Sequence, residues 1–231
     1  MTAQRPRLAL FDLDNTLLPL DSDYEWGEFT IRIGWADRAE FGARNQSFYD
    51  AYVAGTLDVH EYVRFATAAF RARGPAQAEA ARARFMREVI APAITPRALA
   101  LLAAHRAAGD ALVIVTATNE FVTRPIARSL SVDELIAVEL ARDAQGWYTG
   151  EIQGQPSMRE GKVLRVAQWL AARSLDWAGV ESTFYSDSMN DAPLLEKVDH
   201  PVATNPDARL RALAAERGWP ILDLFEPGNG G

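Results

Sequence analysis

The chain contains no cysteine, which excludes a disulfide framework and any thiolate metal centre. Only three histidines are present, His60, His105 and His200. Their separations match neither metal-ligand spacing nor a base paired with a nucleophilic serine, so ordinary core or surface roles are expected. Nowhere do apolar residues run uninterrupted toward the ~20 that a membrane helix needs. Met1 to Arg7 is basic, but the apolar stretch that follows meets Asp12 almost at once, too soon for a secretory signal core. Positive charge is also scarce: 24 Lys and Arg against 31 Asp and Glu leave a formal charge of −7. That balance repels phosphate backbones and argues against nonspecific nucleic-acid binding. The expectation is a soluble cytoplasmic protein with neither membrane nor nucleic acid among its partners.

What the chain has is a core. Of its 231 residues 48% are hydrophobic, enough for one domain or one domain with an insertion. Four apolar strand signals stand out: Leu8 to Asp12, Ala111 to Thr116, Ser182 to Asp187 and the weaker Pro201 to Thr204. Helical segments are expected over 97–108, stopped by Gly109, over 160–173, and over 207–217, closed by Gly218. Unalternated strands separated by helices predict a parallel sheet covered on both faces, an α/β doubly wound fold. Between the first two strands lies an aromatic-rich helical insert, roughly Asp21 to Pro92, punctuated by Pro and Gly at 72–75 and 91–96. Its length suits a lid, and its aromatics are expected to form a bundle core rather than a stacking platform. Trp147 to Ile152 should pair with Leu135 to Ala141 as a hairpin arm. The tail from Glu226 to Gly231 is expected to be disordered.

The residues with chemical potential fall at the carboxyl ends of these strands, where open α/β sheets place their sites. Asp12 and Asp14 close the first strand and Thr116 the second. Lys162 begins a helix, and Asp187, Asn190 and Asp191 follow the third strand. Phosphoryl transfer needs positioning and charge neutralisation more than basicity. Asp12 is therefore expected to attack phosphorus, with Asp14 protonating the leaving alkoxide and then activating water. Clustered carboxylates require a cation, and hard oxygen donors select Mg²⁺. The expected metal set is Asp12, Asp14 through its main-chain carbonyl, and Asp187, with Asp191 acting from behind or through water. Thr116, Lys162 and Asn190 are expected to hold the other phosphate oxygens. Each motif alone has a bland reading as a turn, cap or helix start; their joint occurrence in order is what points to a site.

At Asp12-Leu13-Asp14-Asn15-Thr16, Thr116, Lys162 and Ser186-Asp187-Ser188-Met189-Asn190-Asp191, the chain resembles the haloacid dehalogenase superfamily. The motif wording is nearer its subfamily IB, which includes phosphoserine phosphatase-like and histidinol-phosphatase-like enzymes. The resemblance implies a Rossmann-like core over 1–18 and 95–231, a helical C1-type cap over 19–94, and Mg²⁺-dependent hydrolysis of a small phosphate ester through an aspartyl-phosphate. Phosphoserine phosphatases carry a glutamate after the first motif that meets the substrate's ammonium. The matching place here is Asp21, with Asp23 and Glu25 nearby. Their cap also offers a Leu-Arg-x-Arg-Val run for the substrate carboxylate, where Val63-Arg64-Phe65-Ala66-Thr67 keeps only Arg64. Asp21 and Arg64 are thus the expected leaving-group contacts. Loss of the second arginine turns the expectation from phosphoserine toward an amino-alcohol phosphate such as histidinol phosphate.

Three other classes compete. A receiver-like signalling domain combines an acceptor Asp, a Thr and a Lys, but lacks a lid and has no use for Asp14. A phosphotransferase or mutase would share the chemistry while excluding water. A silent binding module would not need the aspartates.

Overall fold

The structure, a computed structural model, describes residues 5–225, so the expectation for the tail at 226–231 falls outside it. Six parallel strands form the central sheet in the order β3-β2-β1-β6-β7-β8. They are β1 (Arg7–Phe11), β2 (Ala111–Asn119), β3 (Glu134–Val138), β6 (Glu181–Ser186), β7 (His200–Thr204) and β8 (Ile221–Leu222). The first strand is thus central. Leu8 registers with both Ala111 of β2 and Ser182 of β6. A separate antiparallel pair, β4 (Leu140–Arg142) and β5 (Tyr148–Ile152), projects beside it.

Alternation along β1 divides the core. Ala9 and Phe11 face one hydrophobic cluster, with Trp26, Phe70, Phe85 and Phe121. Leu8 and Leu10 face the other, packed by helices α8 (Glu160–Ala171), α9 (Ala192–Leu195) and α10 (Ala208–Arg217). Both faces are covered, which is why the strands need no polar side.

Six helices lie between β1 and β2, and the first five are α1 (Ser22–Arg32), α2 (Arg38–Ala54), α3 (Val59–Arg71), α4 (Gly74–Phe85) and the short α5 (Ala91–Ala93), the last two of these joined by a π turn at Met86–Ile90. Asp21, Asp37 and Asp58 cap the first three through side-chain oxygens that accept backbone N–H groups. Pro96–Ala107 is α6, and Glu120–Ser129 is α7, started by an Asn119 side-chain cap. Among the described residues no helix is long and apolar enough to cross a membrane.

Two expectations need correction. The segment from Leu135 does not form a hairpin arm throughout. Residues 134–138 join the main sheet beside β2, and only 140–142 pair with β5. The apolar run Leu135-Ile136-Ala137-Val138 is buried as a sheet strand from Ile136 on, which periodicity alone could not separate from an arm. The insert's aromatics also divide. Trp26, Phe29, Phe70 and Phe85 are buried together, whereas Phe48, Tyr49, Tyr52 and Tyr62 line a cleft.

Phe70 stacks on Phe121 of α7 with ring centroids 4.0 Å apart, and Phe121 meets Trp26 edge-on at 5.6 Å. This contact fastens the insert to the sheet. Phe121→Ala should cost about 3–5 kcal/mol and lower the melting temperature by roughly 10 °C in a thermal scan.

Candidate active site

The chain turns sharply after β1. Asn15 takes a left-handed conformation (φ 56°), which asparagine tolerates better than most residues. The amide of Asn205 donates to the carbonyls of Asn15 and Thr16 at 2.9 and 3.2 Å. Its oxygen in turn accepts the N–H of Leu224 at 2.6 Å. This brace holds the aspartate loop from outside.

Within the loop, Thr16 is buried and its hydroxyl is fully used. It donates to Asp187 Oδ1 at 2.9 Å and accepts the Asp187 N–H at 3.0 Å. The same oxygen lies 3.4 Å from Asp12 Oδ2. Asp12 and Asp187 therefore converge on one small group. Burial pushes the Asp187 carboxyl well above the usual range, and the neighbouring Asp12 adds to it.

Behind Asp12 stands Lys162, only 1% exposed, its Nζ 2.8 Å from Asp12 Oδ1 and 2.6 Å from Asp191 Oδ2. Burial alone would lower this ammonium's pKa, but the Asp12 and Asp191 carboxylates outweigh it and hold the charge. Asp191 also accepts from Ser186 Oγ at 2.7 Å. Both of these contacts fall on Oδ2.

Asp14 points differently. Its Oδ1 accepts the Ser22 N–H and its Oδ2 the Thr118 hydroxyl, each at 2.8 Å. Desolvation, helped by nearby Asp21, pushes its pKa up to about 7. Thr118 had no sequence-level assignment. The strand expected to stop at Thr116 runs to Asn119, with an irregular register between Val115 and Asn119 that re-aims these side chains. The polar run Thr116-Ala117-Thr118-Asn119 after an apolar strand was the available signal. Thr116 accepts the Thr118 N–H at 3.1 Å, which leaves its hydroxyl hydrogen free for the cleft.

Asp12, Asp14, Asp21, Thr116 and Asp187 all line one cleft beneath the insert. Two other expected contacts lie elsewhere. Arg64 is exposed and reaches Glu151 of the hairpin at 3.4 Å. It sits on the outward face of α3, four positions after His60 on the exposed side, so the cleft does not see it. Asn190 donates its amide to the Tyr52 carbonyl at 2.8 Å, and so ties the insert to the sheet.

Among the described residues no three His, Cys, Asp or Glu side chains gather in metal-holding geometry. The donors that do approach one another are the two carboxylates of Asp12 and Asp187. The histidines stay apart: His105 bridges Asp110 and Tyr185 at 2.6 and 2.7 Å, and His200 meets Glu181 at 3.0 Å.

Carboxylates delivered by adjacent parallel strands, one of them clamped by a buried ammonium, mark the protein as a phosphatase. It belongs to the haloacid dehalogenase-like hydrolases, whose family model matches residues 9–196. A histidinol-phosphatase of Neisseria meningitidis serogroup C (strain 8013) is 41% identical over 218 residues, spanning 94% of this chain and 98% of that one. A solved protein of unknown function from Bordetella pertussis Tohama I superposes with a TM-score of 0.90 at 49% identity, covering 96% of this chain and 100% of the other. A phosphoserine phosphatase solved as a phospho-aspartyl intermediate analogue shares the fold at TM-score 0.66 and 16% identity, covering 96% and 95%.

The crowding of acids has a pH signature. Desolvation pushes Asp14 and Asp23 up to about 7, and Asp21 and Asp191 to about 6, from 3.8. Each therefore holds its proton more tightly folded than unfolded. Their stabilising contribution is complete below about 4 and is lost as pH rises through 6 and 7. Acids lowered by partners, such as Glu134 and Asp199, are already ionised across that window. The metal-free protein should melt at a higher temperature at pH 5.5 than at pH 8, and Asp23→Asn should narrow the gap.

Proposed function

We propose that the protein hydrolyses a small phosphate monoester through a phosphoryl group carried on Asp12, with Mg²⁺, and that the substrate is an amino-alcohol phosphate, histidinol phosphate being the leading candidate. The observation that carries the substrate reading is the wall of the cleft. It contains Asp21, Asp23 and several tyrosines but no arginine or lysine. A leaving group bearing a carboxylate, as in phosphoserine, would meet repulsion there, whereas an ammonium is welcome. The 41% identity to a histidinol-phosphatase supports the same direction.

In this reading, an Asp12 oxygen attacks phosphorus while the ester P–O bond breaks. Oδ1 is engaged by Lys162, so Oδ2, with only the long approach of Thr16, is the freer atom. Asp14, protonated near neutrality, gives its proton to the departing alkoxide. It then takes one from the water that attacks phosphorus and releases Asp12 with inorganic phosphate. Thr118 and the Ser22 N–H hold Asp14 in place for both transfers. Thr116 donates to a non-transferring oxygen, and Lys162 fixes Asp12 from behind and contributes positive field.

The donor set fits Mg²⁺. Two converging carboxylates, Asp12 and Asp187, with the main-chain carbonyl of Asp14, leave positions for water and phosphate oxygen, as that ion prefers. When bound, it would neutralise charge on the phosphoryl oxygens. Asp191, committed to Lys162 and Ser186, supports the set without joining it. Residues 19–94 act as the lid over a core of 1–18 and 95–231.

Asp12→Asn should lower kcat by at least about three orders of magnitude, with Asp14→Asn nearly as severe; retained turnover in the first refutes the covalent route. Chelation should abolish activity and Ca²⁺ should fail to restore it, because its looser shell misplaces the nucleophile. On a phosphate-ester panel, histidinol phosphate should exceed phosphoserine in kcat/KM. Equal rates on histidinol phosphate and generic esters would sink the substrate reading.

A further inference from the structure

The cleft holds more buried negative charge than its established partners answer. Lys162 serves Asp12 and Asp191. A divalent cation would serve Asp12 and Asp187. Asp21 is engaged as the cap of α1, its Oδ1 accepting the N–H groups of Asp23 and Tyr24 at 3.0 and 2.9 Å, at the positive end of the helix.

Asp23 has no such answer. It is 5% exposed, two residues on in the first turn of α1, and lines the same cleft. Its Oδ1 accepts the Asn119 amide at 3.1 Å, and the Tyr62 hydroxyl acts on the same carboxyl from the wall of the cleft. Both donors are neutral. The charged groups that act on or with it, Asp14 and Asp21, are themselves acidic. A buried carboxylate with hydrogen bonds but no countercharge is costly to retain unless a cation arrives. In the same cleft, Tyr24 and Tyr49 meet edge-on with centroids 5.6 Å apart and supply aromatic surface that also favours a cation.

We propose that Asp23, oriented by Asn119 and Tyr62, receives the protonated amine of the leaving group, and that it rather than Asp21 selects esters whose alcohol carries an ammonium. This rests on the phosphatase reading above and assigns the recognition step within it. Asp14 and Asp23 line the same cleft, so one ligand can present phosphate to the former's neighbourhood and its amine to the latter.

The test compares kcat/KM for histidinol phosphate with that for its deamino analogue at pH 8, where imidazole is neutral and the amine charged, in the metal-loaded enzyme. The wild type should favour the amine. Asp23→Asn should lower that ratio about 30-fold, chiefly through KM. Asp21→Asn keeps a good helix cap and should leave the ratio within about threefold. Tyr62→Phe removes one orienting donor and gives a second variant, independent of how well the Asn protein folds; it should lower the ratio several-fold. An amine preference that survives both Asp23→Asn and Tyr62→Phe overturns this assignment alone, as does a loss in Asp21→Asn instead. Equal loss on both esters in Asp23→Asn also overturns it, because the residue then serves only the architecture. No amine preference in the wild type overturns the substrate reading together with this one.

Discussion

Lys162 lies wholly inside the protein between Asp12 and Asp191, and the arrangement of the remaining acids follows from that ion pair. Removing the ammonium would leave two buried carboxylates facing each other, a loss larger than the net worth of the pair. The chain has only two lysines, and this one sits where a compact point charge can touch two oxygens. A forked guanidinium would demand more room. The residue before it is shaped to allow the approach. A Cβ on Gly161 would stand 2.1 Å from the Pro156 carbonyl oxygen, so only glycine lets the first turn of α8 pack this close. Ser157 adds a 2.6 Å hydrogen bond to the Thr116 carbonyl, which ties the same approach segment to β2.

The asymmetry of the two catalytic-strand aspartates follows from their surroundings. Asp12 is met by a cation, while Asp14 is met by a hydroxyl and a backbone N–H. Identical side chains two residues apart thus meet different partners: burial raises both carboxyls, and Lys162 works against that rise at Asp12 while no cation does so at Asp14.

Much of this was legible in the sequence. The apolar run ending in Asp12 and Asp14, the Thr116 strand and the Asp187 strand each imply a strand end, and parallel pairing puts strand ends on one edge. Six-strand order was less legible, because residues 134–138 carry an apolar run that fits an arm as well as a sheet. Thr118 and Asn119 became visible only with the irregular register after Val115, since a regular pleat would point one of them away. Arg64 illustrates the opposite limit: motif spacing placed it near the substrate, but the facing of α3 decides, and that face looks at Glu151.

The position of β1 has a consequence for how the protein is made. Its two neighbours lie more than 100 and 170 residues downstream, as the pairings Leu8 with Ala111 and Ser182 show. Of the six strands of this sheet, β1 is therefore the one that must wait longest during synthesis for both of its neighbours. Long-range parallel pairing closes large loops and is slow. A nascent chain ending before Ser186 still lacks Asp187 and Asp191, together with β7 and β8.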